Sequence, residues 1–227
     1  MIIHLKDADN PSIFLKRAAE IVKEGGIIAY PTDTVYGIGA DPLNAIAIQR
    51  VFDIKQRDAN RGFPILVPDL DDAMKIGQLL PIEIKLTEKF WPGALTIVVP
   101  KNTTESDAIN LDASITGGSE KVAIRIPSNP IIHGICTELK KISGFGGIIG
   151  TSANFSGEPN ITSGKRVSEE FSNILDFIIE TGECKEKIPS TVIQFDHTSP
   201  TPEDTLEFLR VGKITQNQIE SVLKEKV

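Results

Sequence analysis

The chain has 227 residues, of which 40% are hydrophobic and 24% are charged, so it can bury a core, and its composition disfavours disorder over most of its length. Its 24 Lys and Arg against 31 Asp and Glu give a formal net charge of −7. That balance disfavours a protein whose whole surface binds nucleic acid or an anionic membrane, although local basic patches are still allowed.

Cysteine and histidine are too sparse to indicate a disulfide framework or a zinc site. The chain has two cysteines and three histidines, which are Cys136, Cys184, His4, His133 and His197. No apolar stretch approaches the roughly 18–20 residues that a membrane helix needs. Residues 1–10 lack the basic and apolar regions of a signal peptide, so we expect mature sequence there. These features favour a soluble, cytoplasmic protein.

Helices and short strands alternate through the first part of the chain. An apolar stripe at helical spacing predicts a helix over residues 12–23, and Gly25-Gly26 ends it before an apolar strand at 26–30. The same patterns predict a helix at 44–55, a strand at 64–67, helices at 69–77 and 82–90, and a strand at 95–99.

Residues 101–120 interrupt this alternation. They are rich in Asn, Thr, Ser, Asp and Gly, and so long a loop is uncommon in a compact domain unless it is functional or disordered. We hypothesise that this segment is a mobile loop near the mouth of an active site. A passive surface insertion is the alternative.

The alternation resumes afterwards and continues to the end of the chain. It predicts strands at 122–126, 147–150, 177–180, 191–194 and 206–209, and helices at 130–140, 167–171 and 214–224. Residues 151–164 form a polar stretch. Without internal repeats or a low-complexity linker, residues 1–227 are interpreted as one continuous α/β domain.

Several familiar nucleotide and hydrolase motifs are missing from the sequence. It contains neither a P-loop nor a G-x-S-x-G nucleophile elbow. Gly144, Gly146 and Gly150 have the wrong spacing for a dinucleotide-binding turn, which needs its strand before the glycines. The chemistry must therefore be sought in less specific polar segments.

Two such segments follow predicted elements in the first third of the chain. Thr32 and Thr34 come directly after an apolar strand, where hydroxyls and backbone N–H groups can hold an anion or an amino acid, or simply form a turn. Lys55, Arg57 and Arg61 place three cations within seven residues of an acidic chain. They suit a phosphate chain, but they also suit a helix C-terminus and a solvated loop.

Two further segments lie in the second half. Arg125 interrupts an apolar strand, and a buried arginine needs an acidic partner, which is either a structural carboxylate or that of a substrate. Ser152 and Asn154 follow another short strand. Their hydroxyl and amide suit a nucleotide or amino acid, and a turn or helix cap is the alternative.

Taken in order, these segments resemble the YrdC-like threonylcarbamoyl-AMP synthase family. The resemblance extends from about residue 15 to residue 212. It rests on seven pieces: residues 25–40, Lys55-x-Arg57, Phe90 to Thr96, Val122 to Pro127, Thr151 to Gly157, Ser190 to Ile193, and Leu209 to Gly212.

The resemblance implies a fold and an activity. The fold would be a single α/β domain with a twisted, mainly mixed β-sheet, flanking helices and a concave basic cavity. The helix predicted at 214–224 follows the matched region and is the last predicted element of the chain. The activity would be the condensation of L-threonine, bicarbonate and ATP into threonylcarbamoyl-AMP and pyrophosphate. Other proteins would then transfer the threonylcarbamoyl group to adenosine beside the anticodon of tRNA. Mg²⁺ would enter with the triphosphate.

The resemblance also implies roles for individual residues. ATP would be bound by Lys55, Arg57 and Arg210, with Arg61 near the phosphates, and by Ser152 and Asn154 in a shared pocket. L-threonine would be bound by Thr32, Thr34, Ser152 and Ser190, and by Arg125 through its carboxylate. No residue is an obvious general base. Leu66 stands where many relatives have a histidine, and Lys121 where some have a small hydroxyl residue.

Two other interpretations compete with this one. A non-catalytic RNA-binding module of the same fold would use the basic cavity as a groove, and weak tRNA binding is compatible with either function. Broad affinity for the phosphate backbone is disfavoured by the net charge of −7. The carbamoyl-transfer domain of hydrogenase-maturation proteins is the other candidate. It is disfavoured because those proteins carry cysteine-rich zinc-binding domains, whereas this chain has two distant cysteines.

Overall fold

The computed structural model describes residues 1–4, 11–56, 58, 60–184 and 188–225. Its helices are α1 (Pro11–Lys23), α2 (Ala45–Lys55), α3 (Leu70–Ile76), α4 (Pro81–Phe90), α5 (Pro130–Ser143), α6 (Gly164–Phe171) and α7 (Gln216–Lys224). Its strands are β1 (Ile2–His4), β2 (Ile28–Tyr30), β3 (Gly37–Gly39), β4 (Ile65–Leu66), β5 (Leu95–Pro100), β6 (Lys121–Arg125), β7 (Ile148–Ile149), β8 (Thr151–Ser152), β9 (Phe177–Glu180), β10 (Thr191–Gln194) and β11 (Glu207–Arg210).

The described strands form two mixed sheets. One has five strands in the order β1-β9-β2-β3-β8, and the other has six in the order β11-β10-β5-β6-β4-β7. In the six-stranded sheet, β5 runs parallel to β10 and antiparallel to β6. The mixed α/β fold with flanking helices is confirmed, and the division of its strands between two sheets is information that the sequence patterns do not contain.

Hydrophobic side chains fill two regions of the interior. The larger region joins the six-stranded sheet to α2, α3 and α4, with fully buried Ile65, Ile97 and Ile124 at its centre. The smaller region lies between α1, α5 and the five-stranded sheet. Burial of this apolar surface is the main source of stability for strands as short as these.

The predicted elements are confirmed to within three residues at each end, but three strands are missing from the prediction. Two of them are β3 and β8, which pair with each other. The glycines of β3 are required by packing. A Cβ atom at Gly37 or Gly39 would lie 2.7 Å from the ring of Tyr30.

The sequence indicates neither a disulfide framework nor an apolar stretch long enough for a membrane helix. Cys136 and Cys184 are both buried free thiols. No helix in the described part of the chain is long and apolar enough to cross a membrane.

Candidate active site

A cavity of about 600 Å³ is lined by residues of both sheets and their connecting loops. The five-stranded sheet contributes the end of β2, the turn after it and β8. The six-stranded sheet contributes most of the floor. Alternate residues of β5, β6 and β10 face the cavity, because side chains alternate between the two faces of a strand. These floor residues are Thr96, Val98, Lys121, Ala123, Arg125, Val192 and Gln194.

The floor is apolar in its middle and polar at both ends. Val98 and Ala123 face each other across β5 and β6, and both are only half-buried, as is Val192 on β10. At one end of this apolar strip, Lys121 donates a hydrogen bond to Oε1 of Gln194 at 3.1 Å. At the other end lie Thr96 and Arg125. Such a floor can accept a flat apolar ring with charged groups at its ends.

Arg125 is a buried cation that already has a protein partner. Its guanidinium is 2.5 Å from Oδ1 of Asp33 and donates a second hydrogen bond to the carbonyl of Gly93 at 2.7 Å. Burial lowers the pKa of Arg125, and the charge of Asp33 opposes that effect. The structural carboxylate is therefore present. A substrate carboxylate would have to share the guanidinium with Asp33.

Arg210 also lines the cavity, at the end of β11. Its Nε donates to the carbonyl of Ser190 at 3.0 Å, and its terminal nitrogen donates to Oγ of the same residue at 3.0 Å. Partial desolvation, followed by the positive charge of Arg125, lowers the pKa of Arg210. Two guanidinium groups line the same cavity, and desolvation together with the charge of Arg125 lowers the pKa of Arg210, which favours binding of an anion there.

The hydroxyl of Thr32 is occupied mainly by its own turn. It accepts hydrogen bonds from the backbone N–H groups of Thr34 and Val35 at 3.0 and 3.1 Å and donates to the carbonyl of Val35 at 2.6 Å. Both Thr32 and Thr34 nevertheless line the cavity. The turn interpretation is confirmed at Thr32, and contact with a ligand remains a prediction for both threonines.

Lys55 and Asn154 stand behind the cavity wall instead of lining it. The ammonium of Lys55 donates to the carbonyl of Ser152 at 2.7 Å, to Oδ1 of Asn154 at 2.6 Å and to the carbonyl of Asn154. Ser152 lines the cavity and also donates to Oδ1 of Asn154 at 2.6 Å. Lys55 and Asn154 therefore position the strand that carries Ser152. A direct contact with ATP stays a prediction for each of them.

The structure brings most of the predicted site residues together. Those that line the cavity are Arg61, Ser152, Arg210, Thr32, Thr34, Arg125 and Ser190. Arg57, which is predicted to bind ATP, lies outside the described residues. Asp33, Thr96 and Gln194 carry no individual role in the sequence prediction. Asp33 lies between the two predicted threonines, and Thr96 ends one of the seven matching pieces, so the sequence motifs contain both positions.

The cavity is strongly cationic. Arg61, Lys121, Arg125 and Arg210 line it, and none of the described lining residues is Asp or Glu. Within the described residues, no three His, Cys, Asp or Glu side chains group together as ligands for a metal ion. The cavity thus offers cations, hydroxyls and an apolar strip, which is a suitable lining for a nucleotide and another small anion.

Comparison with known proteins places this geometry in a family. The profile of the Sua5/YciO/YrdC family, which bears the description "Telomere recombination", matches residues 20–212. The threonylcarbamoyl-AMP synthase of Psychromonas ingrahamii is 32% identical, over 79% of this chain and 88% of that protein. The threonylcarbamoyl-AMP synthase of Pyrococcus abyssi is 34% identical over 93% of this chain, but over 57% of its own length.

The fold agrees with these sequence relationships. The crystal structure of Pyrococcus abyssi Sua5 complexed with L-threonine superposes with a TM-score of 0.83 and 33% identity, covering 99% of this chain and 61% of that one. The chain thus spans about three fifths of the length of the Pyrococcus relatives that it matches. Because the family profile covers most of the chain, and both sequence and structure match its members, this protein belongs to the Sua5/YciO/YrdC family.

Proposed function

We propose that this protein is an L-threonylcarbamoyladenylate synthase. It condenses L-threonine, bicarbonate and ATP into threonylcarbamoyl-AMP and pyrophosphate. The product is then passed to the proteins that modify adenosine next to the anticodon of tRNA. The proposal extends to this chain the names of its relatives and the threonine ligand of the Pyrococcus Sua5 structure.

The observation that carries the proposal is the charge of the cavity. Four cationic side chains line it in a chain whose formal net charge is −7. The reaction gathers a carboxylate, a carbamate and a triphosphate in one place, so it needs concentrated positive charge more than it needs a nucleophilic side chain. Positioning the two reactants would supply most of the rate enhancement.

The chemistry follows in two steps. The neutral amine of threonine forms a C–N bond with the carbon of bicarbonate, and loss of water leaves a carbamate. A carbamate oxygen then attacks the α-phosphorus of ATP, which forms an O–P bond and breaks the bond to the bridging oxygen, so pyrophosphate leaves. In this scheme Arg125 holds the α-carboxylate of threonine, while Arg61 and Arg210 hold phosphate oxygens.

The adenine ring would pack on the apolar strip of Val98, Ala123 and Val192. Mg²⁺ would be held mainly by phosphate oxygens and water, a common arrangement for this ion. The carboxylate of Asp33 already pairs with Arg125, and none of the described lining residues is Asp or Glu. The protein would therefore contribute hydroxyl groups, and not carboxylates, near the ion. Mg²⁺ would supply charge neutralisation of the triphosphate when bound.

The test is an incubation of the purified chain with Mg-ATP, carbon-labelled bicarbonate and one amino acid at a time. We expect a labelled adenylate with L-threonine, and 10–200-fold less with serine if only the methyl group is discriminated, roughly the range for one methyl group. Valine should give less than serine if the hydroxyl is hydrogen-bonded.

Absence of labelled adenylate from folded protein that binds ATP would contradict the proposal. Salt-sensitive binding of tRNA by such a protein would instead favour the RNA-binding module.

A further inference from the structure

Thr96 ends the Phe90–Thr96 segment, which the proposed function leaves without a role. The residue is 3% exposed, yet its side chain lines the cavity floor. Its Oγ1 is 3.0 Å from Oγ of Ser190 on the loop before β10. Two buried hydroxyl groups therefore meet at the cavity wall, next to the guanidinium of Arg210.

The hydroxyl groups of Thr96 and Ser190 have two protons, and their hydrogen bonds within the described part of the protein use only one of them. Ser190 Oγ accepts an N–H of Arg210, because a guanidinium can only donate. The contact between Thr96 and Ser190 uses one hydroxyl proton, whichever of the two donates it. Since each hydroxyl has a single proton and neither makes another side-chain hydrogen bond to the described residues, the second proton is available to a ligand in the cavity.

The surrounding charges decide what that ligand is. Arg210 and Arg125 together carry two positive charges, and Asp33 neutralises only one of them. A leftover hydroxyl donor beside an excess cation matches a group that can only accept hydrogen bonds and carries negative charge, which is an oxyanion. An ammonium group would meet the wrong charge and has no acceptor for the hydroxyl proton.

The arrangement is also held rigidly. The hydroxyl of Thr191 accepts the N–H of Gly212 at 2.9 Å and that of Ile214 at 3.1 Å. A Cβ atom at Gly212 would lie 2.2 Å from the carbonyl oxygen of Pro189, so glycine allows the chain after Arg210 to pack directly on the loop that carries Ser190. Donors that are fixed before the ligand arrives stabilise charge without reorganisation.

We propose that Thr96 is a positioning residue of the active site. Its hydroxyl group pairs with that of Ser190, and the pair has one remaining hydroxyl proton beside Arg210. That proton is donated to an oxyanion oxygen of a reactant. This inference rests on the proposed function and deepens it. The oxyanion has two possible sources, the carboxylate or carbamate derived from threonine, and a phosphate group of ATP.

The test compares Thr96→Val, which removes the hydroxyl at nearly constant volume, with Thr96→Ser, which keeps it. Calorimetric titrations with ATP alone, with L-threonine alone and with L-threonine plus bicarbonate identify the source. We expect Thr96→Val to weaken one class of ligand by about 10-fold to 100-fold, as for loss of a hydrogen bond to a charged group, and to leave the other unchanged. Thr96→Ser should bind both like the wild type.

A second variant and the reaction rate complete the test. Ser190→Ala should weaken the same ligand as Thr96→Val, and both should raise KM for that substrate. Unchanged affinities and rates in Thr96→Val would overturn the proposal. It would also be overturned if Thr96→Val and Thr96→Ser both bound ATP and L-threonine more weakly, and to the same extent. If the selective loss is seen but the wild type forms no labelled adenylate, the oxyanion site stands and the proposed function fails.

Discussion

Lys55 is a buried cation whose hydrogen bonds hold one wall of the cavity together. The residue is 4% exposed, and its ammonium satisfies the carbonyls of Ser152 and Asn154. Lys55→Ala would leave these acceptors without their donor, at a cost of about 1–3 kcal/mol for an unsatisfied buried group. We expect urea denaturation to show this decrease in the free energy of unfolding.

The matched control is Lys165→Ala, since the Lys165 side chain is 84% exposed. Its free energy of unfolding should stay within about 0.5 kcal/mol of the wild type. Equal stability of the two variants would show that the Lys55 hydrogen bonds contribute nothing. The sequence places Lys55 in a polar segment and so predicts that its loss costs little. The structure contradicts the premise of that prediction, because the Lys55 side chain is buried at the end of α2.

Arg125 shows how far residue-level inference from a sequence can go. An arginine within an apolar strand indicates a buried charge with an acidic partner. The partner is Asp33, which is 92 positions away in the chain, and only the approach of the two sheets brings them together. The sequence therefore indicates the need for a partner, whereas its identity depends on tertiary structure.

The segment 101–120 is anchored at several points, which bears on its hypothesised role as a mobile loop. Leu111 and Ile115 are buried, and the N–H of Ile109 donates to the carbonyl of Lys75 at 2.9 Å. Farther along, Thr116 and Ser119 line the cavity. Movement of the whole segment would expose the buried side chains, at an apolar cost of about 25 cal/mol per Å².

Hydrogen exchange distinguishes an anchored segment from a lid. We expect the amides of Ile109 and Gly118, which are both hydrogen-bonded, to exchange slowly without ligands. ATP and threonine should add protection mainly between Thr116 and Ser119. Fast exchange throughout residues 101–120 without ligands, followed by protection of the whole segment on binding, would instead support closure as a lid.

Elements with a clear hydrophobic period are predictable from this sequence, and the shortest strands are not. The stripe of α1 and the apolar run of β5 both give confirmed elements. β3 consists of Gly37, Ile38 and Gly39, and β8 of two residues, so neither contains enough residues to display a period of two. Both strands exist because neighbouring strands satisfy their backbone groups, which is a tertiary effect.

At the scale of the whole molecule, charge is distributed unevenly. The chain is acidic overall, while the described lining of the active-site cavity is cationic. Composition alone disfavours a generally basic surface, whereas the expectation of a basic cavity comes only from the family resemblance. Low-dielectric walls concentrate the field of such a cavity, which draws small anions inward even when the net charge of the protein is negative.

Threonine-dependent release of pyrophosphate from ATP tests most directly whether one cavity holds both reactants and joins them. The proteins compared are the wild type, Arg210→Gln, and the matched control Arg166→Gln, whose side chain is 50% exposed on α6. We predict that the wild type and Arg166→Gln release pyrophosphate only when ATP, bicarbonate and L-threonine are all present. Arg210→Gln should be slower by at least about 10-fold, as for loss of a charged hydrogen bond. Pyrophosphate release that does not require threonine, or a wild-type rate in folded Arg210→Gln, would contradict the assignment of the reaction to this cavity.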